Sequence, residues 1–523
     1  TGAKCLSSSQ MKQCRGMVLH DSHAEILAIR AFNHWLLEEC KSLLQQRVGS
    51  SNYEFECGSI GANEASGNYG AEPYPVHEGM SDKQASVFIN WRHRPETQET
   101  QETPAPYNLS RTSDINHLAK TKLSWTPFEL RKDLKIYMYG TCAPCGDASM
   151  ELCMASQEDP TPWTMPHLKA DNDLEISNSN DSDTNGANNT SHRATKLLNG
   201  RAHFSILGAV RRKPSRADAE STLSKSCSDK LAVKQVTSLL TFPACLLIAP
   251  SPNAYLTALL LPEEEISRVA CARAFGSGET GRLRALNGRI WSDDDGTTAF
   301  LGGRVNYAFH PFDVRPVPTV QFPEEWAFGK PNRNDGKMRK KSKSGNISAV
   351  WTAAPSSTSV NGGCGKAKST TNLNETLVNG VKQGYHISSP SPRKASALSR
   401  AKMWSLLRDI AQLLPSADEY CENNTSTIQE DKLEEHMSTE RALDNTQDNA
   451  LLAKLKDYVL IGQNYYLMKR GCVEMGLGPV KVRKEVISDV REVLGNWVEN
   501  RGDDNWGLEV LDELKAGMVV GRV

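Results

Sequence analysis

The stretch His20-Asp-Ser-His-Ala-Glu25 opens an amphipathic segment in which apolar residues recur at helical spacing from Ile26 to Leu44. At a helix start, His23 can face a metal ion while Glu25 lies beside it. This is the His-x-Glu arrangement in which histidine binds zinc and glutamate moves protons without being a ligand. Ser22-x-x-Glu25 also fits a capping box, in which Glu25 would only accept a backbone N–H. Taken alone, the stretch leaves both interpretations open.

A second segment, Pro144-Cys-Gly-Asp-Ala148, follows the β-prone run Lys135–Tyr139 and opens a helical pattern over residues 146–155. The positive end of a helix favours the thiolate form of cysteine, which is the form that binds zinc. Pro-Cys downstream of His-Ala-Glu matches the first part of the zinc-deaminase pattern. Cys145 could instead be a small buried thiol, or Cys142-x-x-Cys145 could be half of a structural zinc site.

The zinc-deaminase pattern normally ends with a second cysteine three residues after the first, but position 148 is alanine. A third ligand must therefore come from another segment. Cys227, at the start of a predicted helix over residues 227–240, is the clearest candidate. Three protein ligands would leave the fourth tetrahedral position open for water, as a catalytic zinc requires.

Composition restricts the class of protein. The 523 residues include 61 basic and 62 acidic side chains, so the net charge of −1 excludes a generally basic nucleic-acid coat but not a local basic site. No apolar run approaches the roughly 18 residues needed to span a bilayer, so we expect no membrane partner. The 13 irregularly spaced cysteines favour a reducing, intracellular compartment, cytoplasmic or nuclear.

Strands alternating with helices predict an α/β fold. Its patterned segments are distributed over the whole chain, which indicates one domain with insertions rather than three domains. Four polar stretches have too few apolar residues to offset the entropy of ordering, and we expect them to be largely disordered insertions. They cover about residues 49–116, 170–196, 352–400 and 416–450.

Three motifs in this order resemble those of the adenosine deaminases acting on RNA, and in particular the branch that modifies tRNA. They are Asp21-Ser-His-Ala-Glu25, Pro144-Cys-Gly-Asp-Ala148 and Ser226-Cys-Ser-Asp-Lys230. The opening Thr1-Gly-Ala-Lys-Cys5 resembles the same branch, which usually has further sequence before it, so we expect an N-terminal truncation. The resemblance implies a single editase domain over residues 1–523, with a three-layer α/β/α cytidine-deaminase-like core. A C-terminal extension would enclose a polyphosphate.

The resemblance also implies a role for each matched residue. His23, Cys145 and Cys227 would hold Zn²⁺, which lowers the pKa of a water molecule toward about 7. Glu25 would take a proton from that water and pass it to the leaving amine. Attack at C6 of an unstacked adenosine would give inosine and ammonia. The implied substrate is the adenosine 3′ of the anticodon of tRNA-Ala.

Inositol hexakisphosphate is the second cofactor that the resemblance implies, buried away from the reacting base. A buried polyanion needs many converging donors. Asp21 and Lys230 could form a relay between this polyphosphate and the zinc ligands. Lys481 and Lys484 compete for one further position. The matched positions are Arg30, Ser224, Lys230, Lys343, Tyr465, Lys469, Trp497 and Glu499.

The sequence departs from the family pattern at three other positions. Ile29 stands where relatives that act on double-stranded RNA often carry a second arginine, and His20 stands where they carry an asparagine. Asn500 replaces a lysine. Any of the basic residues could instead be a solvated surface side chain. The basic run at residues 337–343 could contact tRNA phosphates or form a solvated loop.

Two rival functions remain at the level of sequence. One is deamination of double-stranded RNA, although no double-stranded RNA-binding domain is visible. The other is a non-catalytic protein that binds RNA or inositol phosphate and has a structural zinc, for which Glu25 would have no use. We expect no DNA partner and make no prediction of oligomeric state.

Overall fold

The computed structural model describes twelve ranges of the chain: residues 5–57, 86–92, 126–156, 198–200, 206–213, 222–292, 306–318, 347–356, 372–383, 390–415, 452–474 and 478–512. The α-helices are α1 (Ser8–Met11), α2 (Ala24–Cys57), α3 (Met150–Ala155), α4 (Cys227–Thr237), α5 (Arg268–Phe275), α6 (Arg400–Gln412), α7 (452–461), α8 (Tyr465–Glu474) and α9 (Gly478–Leu494). The strands are β1 (Ile89–Trp91), β2 (Phe128–Leu130), β3 (Ile136–Tyr139), β4 (Leu198–Asn199), β5 (Arg211–Arg212), β6 (Leu256–Pro262), β7 (Ile290–Ser292), β8 (Asn306–Ala308), β9 (Asp313–Val317), β10 (Ile347–Thr352), β11 (Leu373–Val378) and β12 (Val381–Lys382).

Helix α2 lies at the centre of the packing, as its apolar spacing predicts. Ile29 packs with Leu256 and Leu259 of β6, which joins the helix to a sheet. Leu27 packs with Val350 of β10 on another side of the helix. Because α2 is held on two sides, the position of its first turn is fixed relative to both sheets.

A three-stranded parallel sheet in the order β3-β6-β9 supports the site. Tyr139 pairs with Leu260 at the end of β3, and the chain then turns through Gly140, whose N–H donates to the Leu260 carbonyl. Functional residues commonly follow the carboxyl ends of parallel strands. The mixture of helices and parallel strands is consistent with the predicted α/β class.

The C-terminal helices pack on both sides of this arrangement. The apolar face of α9, with Val482, Val486 and Val490, lies in one cluster with Val236 of α4. Trp404 of α6 is fully buried and lies near Tyr465 and Trp506. Helix α9, far away in sequence, is thus held against the helix that carries Cys227.

Several local predictions need correction. The stretch 49–116 contains strand β1, and the stretch 352–400 contains strands β11 and β12. The expectation of disorder is therefore wrong for the residues of these three strands. Composition averaged over a long stretch does not reveal such short strands. They are stabilised by pairing across the sheet, as in the six residue pairs that join β10 to β11. No helix in the described ranges combines the length and apolarity needed to cross a bilayer.

Candidate metal centre

His23 is positioned by the start of α2. Its carbonyl accepts hydrogen bonds from the N–H groups of Ile26, at 3.1 Å, and Leu27, at 2.9 Å. Asp21 Oδ1 accepts the His23 N–H at 3.0 Å. The backbone on either side of His23 is therefore hydrogen-bonded, and the imidazole extends from a fixed point.

Cys145 and Cys227 come from two different segments that make direct contact. Gly146 has φ of 103°, and a Cβ atom there would lie 2.1 Å from Ser226 Oγ, so the close approach requires glycine. The Cys227 N–H donates to Cys145 Sγ at 3.3 Å. The positive end of α4 therefore faces this sulfur, which favours the thiolate.

The three predicted ligands converge. His23 Nδ1 lies 3.7 Å from Cys145 Sγ and 3.4 Å from Cys227 Sγ, and all three ligand atoms lie within 4.8 Å of one another. Tetrahedral zinc with ordinary Zn–N and Zn–S bonds separates nitrogen from sulfur by about 3.6 Å. The donor atoms and their spacing therefore fit zinc.

Glu25 faces the same cluster. Its Oε2 atom lies 3.2 Å from Cys227 Sγ. Burial, and next the charge of Cys145, raise the pKa of the Glu25 carboxyl. In the described ranges, no hydrogen bond joins Glu25 to the Ser22 N–H, so the contacts favour the proton-carrying role over the capping box.

A cavity of about 360 Å³ opens onto these groups. Its lining includes the polar groups of His23, Glu25 and Cys145 and the apolar side chains of Ala28 and Leu259. A cavity with both kinds of lining suits a heterocyclic base. Cys142 also lines this cavity, but it does not belong to the group of converging ligands, so the paired-cysteine alternative is not supported.

Lys213 is the main neighbour of this cluster that the sequence did not predict. Its buried ammonium donates to Asp21 Oδ2 at 2.9 Å and to Cys227 Sγ at 3.3 Å. Burial opposes its charge, but Asp21 and the cysteine sulfurs raise the pKa of Lys213 well above its usual range. A hydrogen bond from Cys227, and to a smaller degree the Lys213 charge, hold the pKa of Cys145 well below its usual range.

Asp21 links this centre to a second lysine. Lys230 donates to Asp21 Oδ2, and also to Ser224 Oγ at 2.7 Å. Ser224 Oγ in turn donates to Asp21 Oδ2 at 3.1 Å. The predicted contact between Asp21 and Lys230 is therefore present, with Ser224 as a third member. Cys5 lies on the other side of His23, within hydrogen-bonding reach of its ring.

A larger cavity, of about 730 Å³, lies between α8, α9 and the segment around Glu499. Five cationic side chains line it, and among the described residues its carboxylates are Glu499 and Asp504. The buried Nε atoms of two of these cations, Arg483 and Arg491, have no hydrogen-bond partner within the described part of the chain. Unpaired buried donors of this kind fit an anionic ligand. The five cations are Lys469, Arg470, Arg483, Lys484 and Arg491.

Two of the predicted polyphosphate residues, Lys469 and Glu499, line this cavity, and two more, Tyr465 and Trp497, lie next to cations of its wall. Lys469 Nζ lies 5.5 Å from the Tyr465 ring, and Arg491 lies 5.8 Å from the Trp497 ring. Glu499 accepts a hydrogen bond from Arg491 at 2.5 Å. Arg30 instead donates to the Leu398 carbonyl, at 3.0 Å from Nε.

The geometry of the metal centre agrees with a comparison to known families. The profile of the adenosine-deaminase (editase) domain matches residues 1–60 and 108–274, which include His23, Glu25, Cys145 and Cys227. The chain resembles the adenosine-deaminase (editase) family over these two segments. This confirms the family resemblance of the three motifs.

Two curated proteins that are similar to this chain share one name, tRNA-specific adenosine deaminase 1. The protein from Schizosaccharomyces pombe is 28% identical over 424 residues, which cover 81% of this chain and 75% of the relative. The protein from Saccharomyces cerevisiae is 30% identical over 240 residues, which cover 46% of this chain and 40% of the relative.

The structure shows the surroundings of the three residues that depart from the family pattern. Ile29 lies in the apolar core, where an arginine would be costly. Burial, and next the nearby Arg400, lower the pKa of His20 to about 4, and its Nε2 lies 2.7 Å from Asp503 Oδ2. Asn500 Nδ2 lies 3.5 Å from His20 Nδ1. These two replacements therefore contact each other.

Of the two lysines that compete for one position, Lys484 lines the larger cavity and Lys481 does not. Lys343 lies outside the described residues. The sequence did not single out Arg470, Arg483 or Arg491, because arginines on an amphipathic helix usually face solvent. Their convergence with Lys469 depends on how α8 and α9 pack.

Lys213→Met is expected to weaken zinc binding by about 10–100-fold, because the ammonium that faces Cys227 and Asp21 is lost. Competition with a chromogenic chelator measures this affinity. Lys132→Met, at an exposed position, is the control and is expected to bind zinc like the unmodified protein. Equal zinc affinity of the two variants would show that Lys213 does not support the ligands.

Proposed function

We propose that this chain is a zinc-dependent hydrolase that converts adenosine to inosine in tRNA. The observation that carries the proposal is the convergence of His23, Cys145 and Cys227 beside a cavity whose lining includes Glu25. The match of residues 1–60 and 108–274 to the editase domain and two relatives named tRNA-specific adenosine deaminase 1 support it.

Each residue of the centre has a defined task. His23, Cys145 and Cys227 would hold the zinc, which would lower the pKa of a water molecule toward about 7 and supply hydroxide near neutral pH. Glu25 takes the proton that the attacking water gives up and returns it to the amine nitrogen as the bond from C6 breaks. Adenosine and water give inosine and ammonia. The apolar walls beside Ala28 and Leu259 hold the base and exclude bulk water.

For the substrate, we propose the adenosine 3′ of the anticodon of tRNA-Ala. A base must leave its stack to enter a cavity of about 360 Å³. Anticodon loops present single-stranded bases that can turn outward at low cost. The family resemblance implies this position, and an intracellular location follows from a tRNA substrate.

For the larger cavity, we propose inositol hexakisphosphate as a structural ligand. Five cations on the cavity wall and two unpartnered buried guanidinium nitrogens support a polyanion. Lys469 and Lys484 would contact it directly, and Glu499 would orient Arg491, from which it accepts a hydrogen bond. Tyr465 and Trp497 would orient neighbouring cations through their rings. Three further residues would act indirectly, through neighbouring groups and without contacting the ligand: Arg30, Ser224 and Lys230. We extend the proposal to a single editase domain over residues 1–523, with a three-layer α/β/α core.

Glu25→Gln is expected to retain zinc and to lower inosine formation by about 10²–10⁴-fold, because the amide cannot carry the proton. Inosine is measured on a tRNA-Ala transcript and on a long RNA duplex, with zinc content determined in parallel. Activity of the unmodified protein on the duplex alone would contradict the tRNA assignment. A folded, fully active Glu25→Gln variant would contradict the role of Glu25.

Lys484→Gln is expected to lower the phosphorus content of the purified protein and its resistance to denaturant, because one contact with a phosphate is lost. A hydrogen bond to a charged group is typically worth about 1.5–3 kcal/mol. Lys481→Gln makes the same change three residues away, at an exposed position outside the cavity wall, and is expected to have little effect. Identical behaviour of the two variants would contradict the site.

A further inference from the structure

Each of the two converging cysteines is followed two positions later by an aspartate. The segments are Cys145-Gly-Asp147 and Cys227-Ser-Asp229. Both carboxylates are 0% exposed, although neither faces the metal centre as a member of the ligand group. Buried carboxylates need charged or hydrogen-bonding partners, so their surroundings have a specific purpose.

Arg282 lies between these two carboxylates. Its Nη1 atom donates to Asp229 Oδ1 at 2.6 Å, and its Nε atom lies 3.5 Å from Asp147 Oδ2, an ion-pair contact. Its Nη2 atom also donates to the Ser228 carbonyl at 3.4 Å. The side chain of Arg282 is only 4% exposed. One guanidinium therefore connects the turn that carries Cys145 to the helix that carries Cys227.

Other partners anchor each aspartate to its own surroundings. Asp147 accepts hydrogen bonds from the Gly208 N–H at 2.8 Å and from Arg273 Nε at 3.1 Å. Asp229 accepts the Arg211 N–H at 3.0 Å. Arg282 bridges these two anchored carboxylates and so restrains the distance between them.

A metal site tolerates only small errors in the separation of its ligands, about 0.2 Å from ideal bond lengths. The two cysteines lie 82 positions apart in the sequence, so local structure cannot set their separation. A rigid, planar guanidinium that contacts two carboxylates holds them in a more defined geometry than a single ammonium would.

We propose that Arg282 is a positioning residue that sets the separation of the two cysteine ligands through Asp147 and Asp229. The proposal rests on the proposed zinc site. The guanidinium also offsets the negative charge that two buried carboxylates would add beside two thiolates. Arg282 contacts neither the cavity for the base nor the ligand atoms, so it acts only through the segments it joins.

The test replaces Arg282 by lysine, which keeps the charge but has a single ammonium group in place of the planar guanidinium. Arg284→Lys, two positions away, is the control, because Arg284 is exposed and donates to the Glu279 carbonyl. Each protein is loaded with Zn²⁺ for affinity measurements and with Co²⁺ for visible absorption, which reports tetrahedral geometry and thiolate ligation. Circular dichroism monitors folding.

We expect Arg282→Lys to fold, to bind zinc about 10–100-fold more weakly, and to give an altered Co²⁺ spectrum. Arg284→Lys should match the unmodified protein. If Arg282→Lys matches it as well, the positioning role is wrong while the zinc site stands. If Arg282→Lys does not fold, Arg282 is a residue of the fold, and the proposal is also overturned. If the unmodified protein binds no metal, the proposed function fails first.

Discussion

The contact between the Cys145 turn and the start of α4 is the interaction on which the rest of the structure depends. It brings two sulfurs to one imidazole, and it is possible only because Gly146 has no side chain where Ser226 approaches. Cys145 follows strand β3 of the parallel sheet, and packing on two sides of α2 fixes the position of His23. Each part of the fold near the site can be understood as holding one of these three groups.

Charge explains the buried lysines around this contact. Thiolate sulfurs and the Asp21 carboxylate in one enclosed space favour nearby cations, and Lys213 lies against both Cys227 and Asp21. Asp21 then connects to Lys230. The larger cavity has five cations on its wall. A polyanion in that cavity would balance the cations and stabilise the packing of α8 and α9.

The sequence predicted the residues that belong to motifs and missed those that depend on tertiary packing. His23, Glu25, Cys145 and Cys227 stand at helix starts, where local pattern and chemistry coincide, and they converge as expected. Lys213 follows Arg211 and Arg212, and such a basic triplet usually indicates a solvated surface. Arg282 has no motif at all. Strands β11 and β12 were missed because their burial comes from pairing and not from composition.

Zinc K-edge X-ray absorption of the purified protein tests the central claim most directly, because it counts the ligand atoms. The account predicts one zinc bound by two sulfurs at about 2.3 Å and by lighter atoms at about 2.0–2.1 Å, one of them an imidazole nitrogen. Replacing Cys227 by serine should remove one sulfur from that shell. A shell of four sulfurs, a shell without sulfur, or an unchanged shell in the Cys227→Ser protein would contradict it.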